Sequence, residues 1–212
     1  MNLKVSEIFF SIQGEGPWVG FPTFFVRLYG CNLACKWCDT PYAREGQDYK
    51  EMKPEEIIAF WKKNYPEIPY VTLTGGEPLL QDEIYILIDE FLQKGARVLL
   101  ETNGALSIEN VPEEVLVVMD LKTPSSGMEN FNLYKNIYFL SEKDALKFVI
   151  KDEADFDWSL KIIEEFNLLS KVTCFFSPCA PFMSPKKLAD LILKTKKPLR
   201  LQIQLHKFLN LK

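Results

Sequence analysis

The chain carries one histidine among 212 residues and no apolar run near the roughly 20 residues that a membrane-spanning helix needs. It also lacks a strongly basic block. Formal net charge is −4, and the short basic stretch Lys194–Lys197 fits the solvated end of a helix better than a nucleic-acid footprint. Helical membrane proteins and nucleic-acid binders therefore drop out of the expected classes. The opening Met1–Lys4 runs on to Glu7 without the apolar centre of a secretory leader. The expected compartment is the cytoplasm, where disulfides are rare. Internal repeats, low-complexity tracts and Gly/Ser-rich linkers are missing too. A chain of this length supports one sizeable core and is short for two, so one domain over 1–212 is expected.

What is present is alternation. Hydrophobic residues make up 47% of the chain, enough for a globular fold. Runs rich in β-formers at 23–29, 70–74, 97–101, 115–121, 146–150, 172–176 and 199–203 predict strands. Helical spacing predicts helices near 54–63, 81–94, 157–168 and 185–193. Strands separated by helices imply parallel pairing with right-handed crossovers. A closed eight-stranded α/β barrel takes about 250 residues. With six or seven strands and some helices skimped, an incomplete (partial) β/α barrel fits better, and a doubly wound open sheet is the alternative. Both place their chemistry in loops at the C-terminal ends of strands.

The five cysteines need an explanation other than stapling. Cys31, Cys35 and Cys38 have the spacing C-x₃-C-x₂-C on the loop that follows the first predicted strand. Thiolates are soft ligands that select zinc, copper(I) or iron–sulfur clusters. A structural zinc site is normally closed by four ligands, and the remaining candidates, Cys174, Cys179 and His206, lie far along the chain. An iron–sulfur cluster on three cysteines would instead keep one iron open. Zinc completed by a distant residue, and plain core cysteine, remain the rivals. Cys174 alternates with Val172 and Phe176 and reads as apolar filler. Gly75-Gly76-Glu77-Pro78 ends another strand, where glycine lets backbone approach a ligand closely; alone it is equally a tight turn before a helix.

C-x₃-C-x-aromatic-C, with Trp37 as the aromatic, followed by Gly75-Gly76-Glu77-Pro78, resembles the signature of the radical S-adenosylmethionine (SAM) superfamily. A narrower pattern spans most of the chain: 10–16 (FSIQGEG), Gly20, Phe25-Val26-Arg27, 30–33 (GCNL), Cys38-Asp39-Thr40, 101–104 (ETNG), 120–124 (DLKTP) and 204–207 (QLHK). It is similar to the 7-carboxy-7-deazaguanine synthases of queuosine and 7-deazapurine biosynthesis. The resemblance implies ring contraction of 6-carboxy-5,6,7,8-tetrahydropterin with loss of ammonia, started by reductive SAM cleavage. SAM is regenerated.

Position by position, the resemblance implies a [4Fe–4S] cluster on Cys31, Cys35 and Cys38. Trp37, Cys38, Asp39, Gly76, Asp120, Leu121, Lys122 and the turn Ser177-Pro178-Cys179-Ala180 would bind SAM, with Glu77 in support. Thr40 would offer its hydroxyl to Mg²⁺, a hard ion that keeps mostly water and substrate oxygens. Ile12, Gln13, Gly14, Glu15, Arg27, Thr74, His206 and Lys212 would surround the pterin, with Glu15, Arg27 and His206 closest to catalysis. Arg27 supplies a planar fork suited to a carboxylate. In a parallel core strand such a charge points into a polar barrel interior; on an antiparallel edge it would face solvent. Implied partners are an electron donor such as a flavodoxin or ferredoxin and a second copy in a homodimer. A glycyl-radical activase shares the triad and the small size. A zinc-binding interaction module is the rival from another class, and it would be colourless where an iron–sulfur protein is brown.

Overall fold

In the computed structural model, which describes residues 2–46 and 48–212, strand-forming segments assemble into one nine-stranded sheet. In chain order its strands are β1 (Leu3–Ile12), β2 (Pro22–Leu28), β3 (Lys50–Met52), β4 (Tyr70–Gly75), β5 (Arg97–Thr102), β6 (Leu116–Leu121), β7 (Ala145–Ile150), β8 (Thr173–Pro178) and β9 (Arg200–Leu201). The sheet order is β3-β1-β2-β4-β5-β6-β7-β8-β9, parallel from β2 to β9 and antiparallel at β1 and β3. The sheet ends on β3 and β9, so it is a partial β/α barrel. The helices are α1 (Pro54–Asn64), α2 (Glu83–Gln93), α3 (Glu153–Glu165), α4 (Pro185–Thr195) and α5 (Leu205–Phe208).

Period two along each strand sorts residues between two environments. One set, Phe24, Val26, Leu28, Val71, Leu73, Val98, Leu100, Met119, Leu121, Leu146 and Phe148, belongs to the main apolar core shared with the helices. Phe91 of α2 meets Trp61 of α1 at 5.3 Å between ring centroids. Phe24 and Phe91 are fully buried, and each contributes on the order of 1.5–3 kcal/mol by leaving water. The alternate set faces the barrel interior. Its floor is a small apolar cluster of Leu99, Val118, Ala145 and Phe175, with Trp18 packed against it. Farther along the strands the same face turns polar, with Arg27, Thr74, Glu101, Asp120, Lys147 and Ser177.

Local chemistry sets the helix starts. Pro54 opens α1, where Glu56 accepts the Lys53 backbone N–H at 2.8 Å. Asp152 caps α3 through the Asp155 N–H at 3.0 Å, so this helix begins earlier than the expected 157. The crossover from β5 to β6 holds no helix, and that from β6 to β7 holds only short turns of 3₁₀ type. β1, β3 and α5 are additions to the expected elements.

Candidate active site

All of the sequence-predicted site residues except Glu77 and Leu121 line one cavity of about 510 Å³ at the C-terminal ends of the parallel strands. The cysteine loop leaves β2 through Gly30, whose φ of +98° suits glycine, and Gly30 N–H bonds to the Ala43 carbonyl at 2.8 Å. Cys31, Cys35 and Cys38 are free, half-buried and face the cavity. Asn103 Nδ2 donates to Asn32 Oδ1 at 2.8 Å and lies 3.7 Å from Cys31 Sγ, tying this loop to the end of β5. Burial pushes the Cys31 and Cys35 thiols up, so metal binding there would release protons.

Gly76 packs directly beneath the loop. A Cβ at this position would sit 2.2 Å from the Gly30 carbonyl oxygen and 2.8 Å from Cys31 Cβ. The contact requires glycine and brings the backbone of 75–76 to the cavity wall. Glu77 turns the other way. Its buried carboxylate accepts the Leu79 and Asn103 backbone N–H groups at 3.0 and 2.7 Å and the Thr102 hydroxyl at 2.9 Å. This carboxylate ties the loop ends together but does not line the cavity, and it is not placed to receive an ammonium group there. Period two places the Leu121 side chain with Met119 in the main core, fully buried, so that only its backbone is available to SAM.

Asp120 and Lys122 flank the cysteine side of the cavity and pair at 3.0 Å. Burial works against the Lys122 charge, but Asp120 outweighs it and raises the ammonium pKa. Asp120 Oδ1 is buried without a hydrogen-bond partner, an acceptor ready for a donor on a ligand. Trp37, Asp39, Thr40 and the turn Ser177-Pro178-Cys179-Ala180 complete this half. Lys207 holds Asp39 at 2.8 Å and, against the effect of burial, lowers its carboxyl to about 2.

The other half is a network of buried charges. Glu15 accepts from Lys147, from Gln202 Nε2 at 2.9 Å and from Gln204 Nε2. Burial alone would raise its carboxyl, but the Lys147 ammonium outweighs burial and holds it low. Glu101 behaves oppositely. Burial, reinforced by the charge of Glu15, raises it, while it accepts the Thr74 hydroxyl at 2.8 Å. Gln13 Nε2 bonds Thr72 Oγ1 at 3.1 Å and reaches Glu101 at 3.4 Å. Arg27 is neither solvent-facing nor unpaired: its Nε bonds Glu7 of β1 at 2.8 Å, and its guanidinium lies over the Phe9 ring. Glu7 also holds Tyr42 and Lys212, at 2.9 and 2.7 Å.

Gly14 packs against α5. A Cβ there would fall 2.0 Å from His206 Nδ1 and 2.9 Å from the His206 backbone nitrogen, and the Gly14 carbonyl accepts the Leu205 N–H at 3.1 Å. Burial lowers the His206 pKa and so favours the uncharged imidazole. Lys147, Glu101, Glu7, Tyr42 and Gln204 are cavity residues beyond the sequence-predicted site set. The signal that singled out Arg27, a charge inside an apolar strand, is also present at Lys147 between Leu146 and Phe148.

Among the described residues, no three His, Cys, Asp or Glu side chains converge as they would around one metal ion. The three thiols instead ring one end of a cavity that also holds the unpaired Asp120 oxygen and the Gly76 backbone. That donor set suits a cluster with an open position and a zwitterionic ligand beside it.

A partial barrel with this triad on the loop after its first parallel strand defines a radical SAM enzyme, and the Radical SAM superfamily profile matches residues 25–195. Proteins named 7-carboxy-7-deazaguanine synthase match nearly end to end. That of Methanospirillum hungatei JF-1 is 40% identical over 99% of this chain and 86% of its own length. That of Clostridium acetobutylicum is 42% identical over 99% of this chain and 96% of its own. The chain belongs to this family of the radical SAM superfamily. The crystal structure of QueE from Escherichia coli shares the fold, with a TM-score of 0.80 and 22% identity over 97% of this chain and 95% of that one. Streptococcus suis SuiB bound to S-adenosylmethionine is more distant, at TM-score 0.56 over 82% of this chain and 48% of that one. The family's cofactors are a [4Fe–4S] cluster, SAM and Mg²⁺. Among the described residues, no helix is long and apolar enough to cross a membrane.

Proposed function

We propose that this chain converts 6-carboxy-5,6,7,8-tetrahydropterin to 7-carboxy-7-deazaguanine with release of ammonia. The observation that carries the reading is that one cavity is lined by the cysteine triad together with Arg27, Glu15 and His206. The cluster and SAM, when bound, supply the hydrogen-abstracting radical chemistry. Cys31, Cys35 and Cys38 would hold the cluster. Gly76, Asp120, Lys122, Trp37, Asp39 and the turn Ser177-Pro178-Cys179-Ala180 would seat SAM.

The chain's own groups bind and orient the substrate. Arg27, fixed by Glu7 and Phe9, offers its terminal N–H groups to the pterin carboxylate. Glu15 and the backbone of 12–14 take the guanine-like edge, whose N–H groups call for acceptors. Thr74 and His206 would contact the ring, Thr40 would give Mg²⁺ one hydroxyl oxygen, and Lys212 stands beside Glu7 at the rim. A flavodoxin or ferredoxin as reductant, a homodimer and a cytoplasmic setting complete the proposal. Anaerobic incubation with SAM, Mg²⁺, dithionite and the pterin, read by mass spectrometry, tests it. Appearance of the deazaguanine supports the reading, and SAM cleavage without it rejects the substrate.

A further inference from the structure

Three carboxylates, of Glu15, Glu101 and Asp120, and two ammonium groups meet in this cavity, and Lys122 already pairs with Asp120 Oδ2 at 3.0 Å. Lys147 lies on β7 opposite Asp120 of β6, its Nζ 3.9 Å from Asp120 Oδ2 and in direct contact with Glu15 Oε2. Only 17% of its side chain is exposed. Glu15 comes from the turn after β1, far from β7 in sequence, and is 12% exposed. Lys147 therefore links the side chain placed on the pterin with the side chain placed on SAM.

Counting acceptors sharpens this picture. A carboxylate offers about four lone-pair sites. Lys147 and Gln202 fill two on Glu15 Oε2, and Gln204 fills one on Oε1. One site on Oε1 remains, on a side chain that borders the cavity. Gln202 is held in turn by the Gly16 N–H at 2.6 Å and by Ser177 Oγ at 3.1 Å. The two glutamines fix where Glu15 points, but they supply no charge. With Glu101 also inside this cavity, Lys147 is the group that keeps Glu15 an anion.

We propose that Lys147 is a positioning residue for the reaction. It holds Glu15 as a carboxylate aimed at the pterin edge and ties that carboxylate to the Asp120 wall of the SAM site, so that it sets substrate against cofactor. This inference rests on the substrate reading above. Two consequences follow that a residue merely filling space would not produce. Neutral Lys147→Met damages pterin use while SAM binding persists, and the damage runs through Glu15.

The experiment is a double-mutant cycle on the reconstituted enzyme with Lys147→Met, Glu15→Gln and the combination. Each single change is expected to raise the pterin KM by about 10- to 100-fold, the cost of a lost charged hydrogen bond. The combination should be no worse than the worse single variant. Lys147→Met should also release more 5′-deoxyadenosine per product formed, with SAM affinity and cluster absorbance unchanged. Lys147→Arg, which keeps the charge, should recover most of the lost KM. It carries the test, paired with Glu15→Gln, if the methionine variant fails to fold. Fold-changes that multiply in the combination, or an unchanged KM in Lys147→Met, overturn the inference and leave the substrate reading standing. Wild-type enzyme that does not turn over the pterin overturns both.

Discussion

The Glu77 carboxylate accepts the Asn103 backbone N–H at 2.7 Å, joining the loop after β4 to the loop after β5. Asn103 in turn reaches the cysteine loop through Asn32. Three strand-end loops are thereby locked together around the triad, and one buried acid serves four short donor contacts.

Glu77→Ala leaves the Leu79 and Asn103 N–H groups buried without acceptors, each a loss of about 1–3 kcal/mol. The expected outcome is a drop of roughly 2–4 kcal/mol in unfolding free energy and a lower iron content after reconstitution. Urea denaturation and iron analysis check it. A variant as stable as wild type would mean that the N–H groups find other partners.

Gly14→Ala places a methyl group against the His206 ring and backbone, and the backbone contact cannot relax by a rotamer change. α5 must shift. The pterin KM should rise at least about 10-fold, a loss on the scale of one charge-assisted hydrogen bond, while cluster absorbance stays normal. Gly76→Ala acts on the opposite end, where the Gly30 carbonyl blocks the new Cβ, and should impair cluster assembly and SAM binding. Comparing the two variants separates the halves of the cavity.

The Glu101 carboxyl is raised by burial and by the charge of Glu15. The sign follows from proton linkage. A folded state that keeps the proton at a pH where the unfolded chain has lost it is favoured at low pH and loses that stability as pH rises above 4.5, the ordinary glutamate value. Glu101→Gln removes the titration. Its melting temperature, relative to wild type, should therefore be higher at pH 8 than at pH 5. An equal difference at both pH values contradicts the account.

The apolar part of the fold was legible because strands buried on both faces read as runs of Val, Leu, Ile and Phe, and β4 to β8 fell within a few residues of expectation. β1 escaped for a physical reason. A bulge between Val5 and Glu7 shifts its register, and its residues are largely half-buried around Glu7 and Phe9, so neither a clean alternation nor an apolar run appears. Short edge strand β3 and one-turn helix α5 carry too few residues to show a period. The triad was legible from spacing alone. Lys147 carries the same signal as Arg27, a charge inside an apolar strand, but lies outside every matched motif, and Glu101 stands at the very end of its predicted strand, where a charge does not announce an interior. Leu121 sat inside a motif, but motif membership says nothing about which face of a strand a residue occupies.

Cys35→Ala leaves two thiols at the end of the cavity. Reconstituted protein should lack the brown absorbance and cleave no SAM, with its fold retained, since Cys35 is only half-buried. Circular dichroism and visible spectra check both statements. Normal cluster content in this variant would return the triad to a structural role.

The most direct measurement is turnover by the anaerobically reconstituted wild-type protein with SAM, Mg²⁺, a reductant and 6-carboxytetrahydropterin, read by mass spectrometry. The account predicts 7-carboxy-7-deazaguanine, and none when Cys35 is replaced by alanine. A reduced, cluster-loaded protein that cleaves SAM to 5′-deoxyadenosine yet leaves the pterin intact would contradict it.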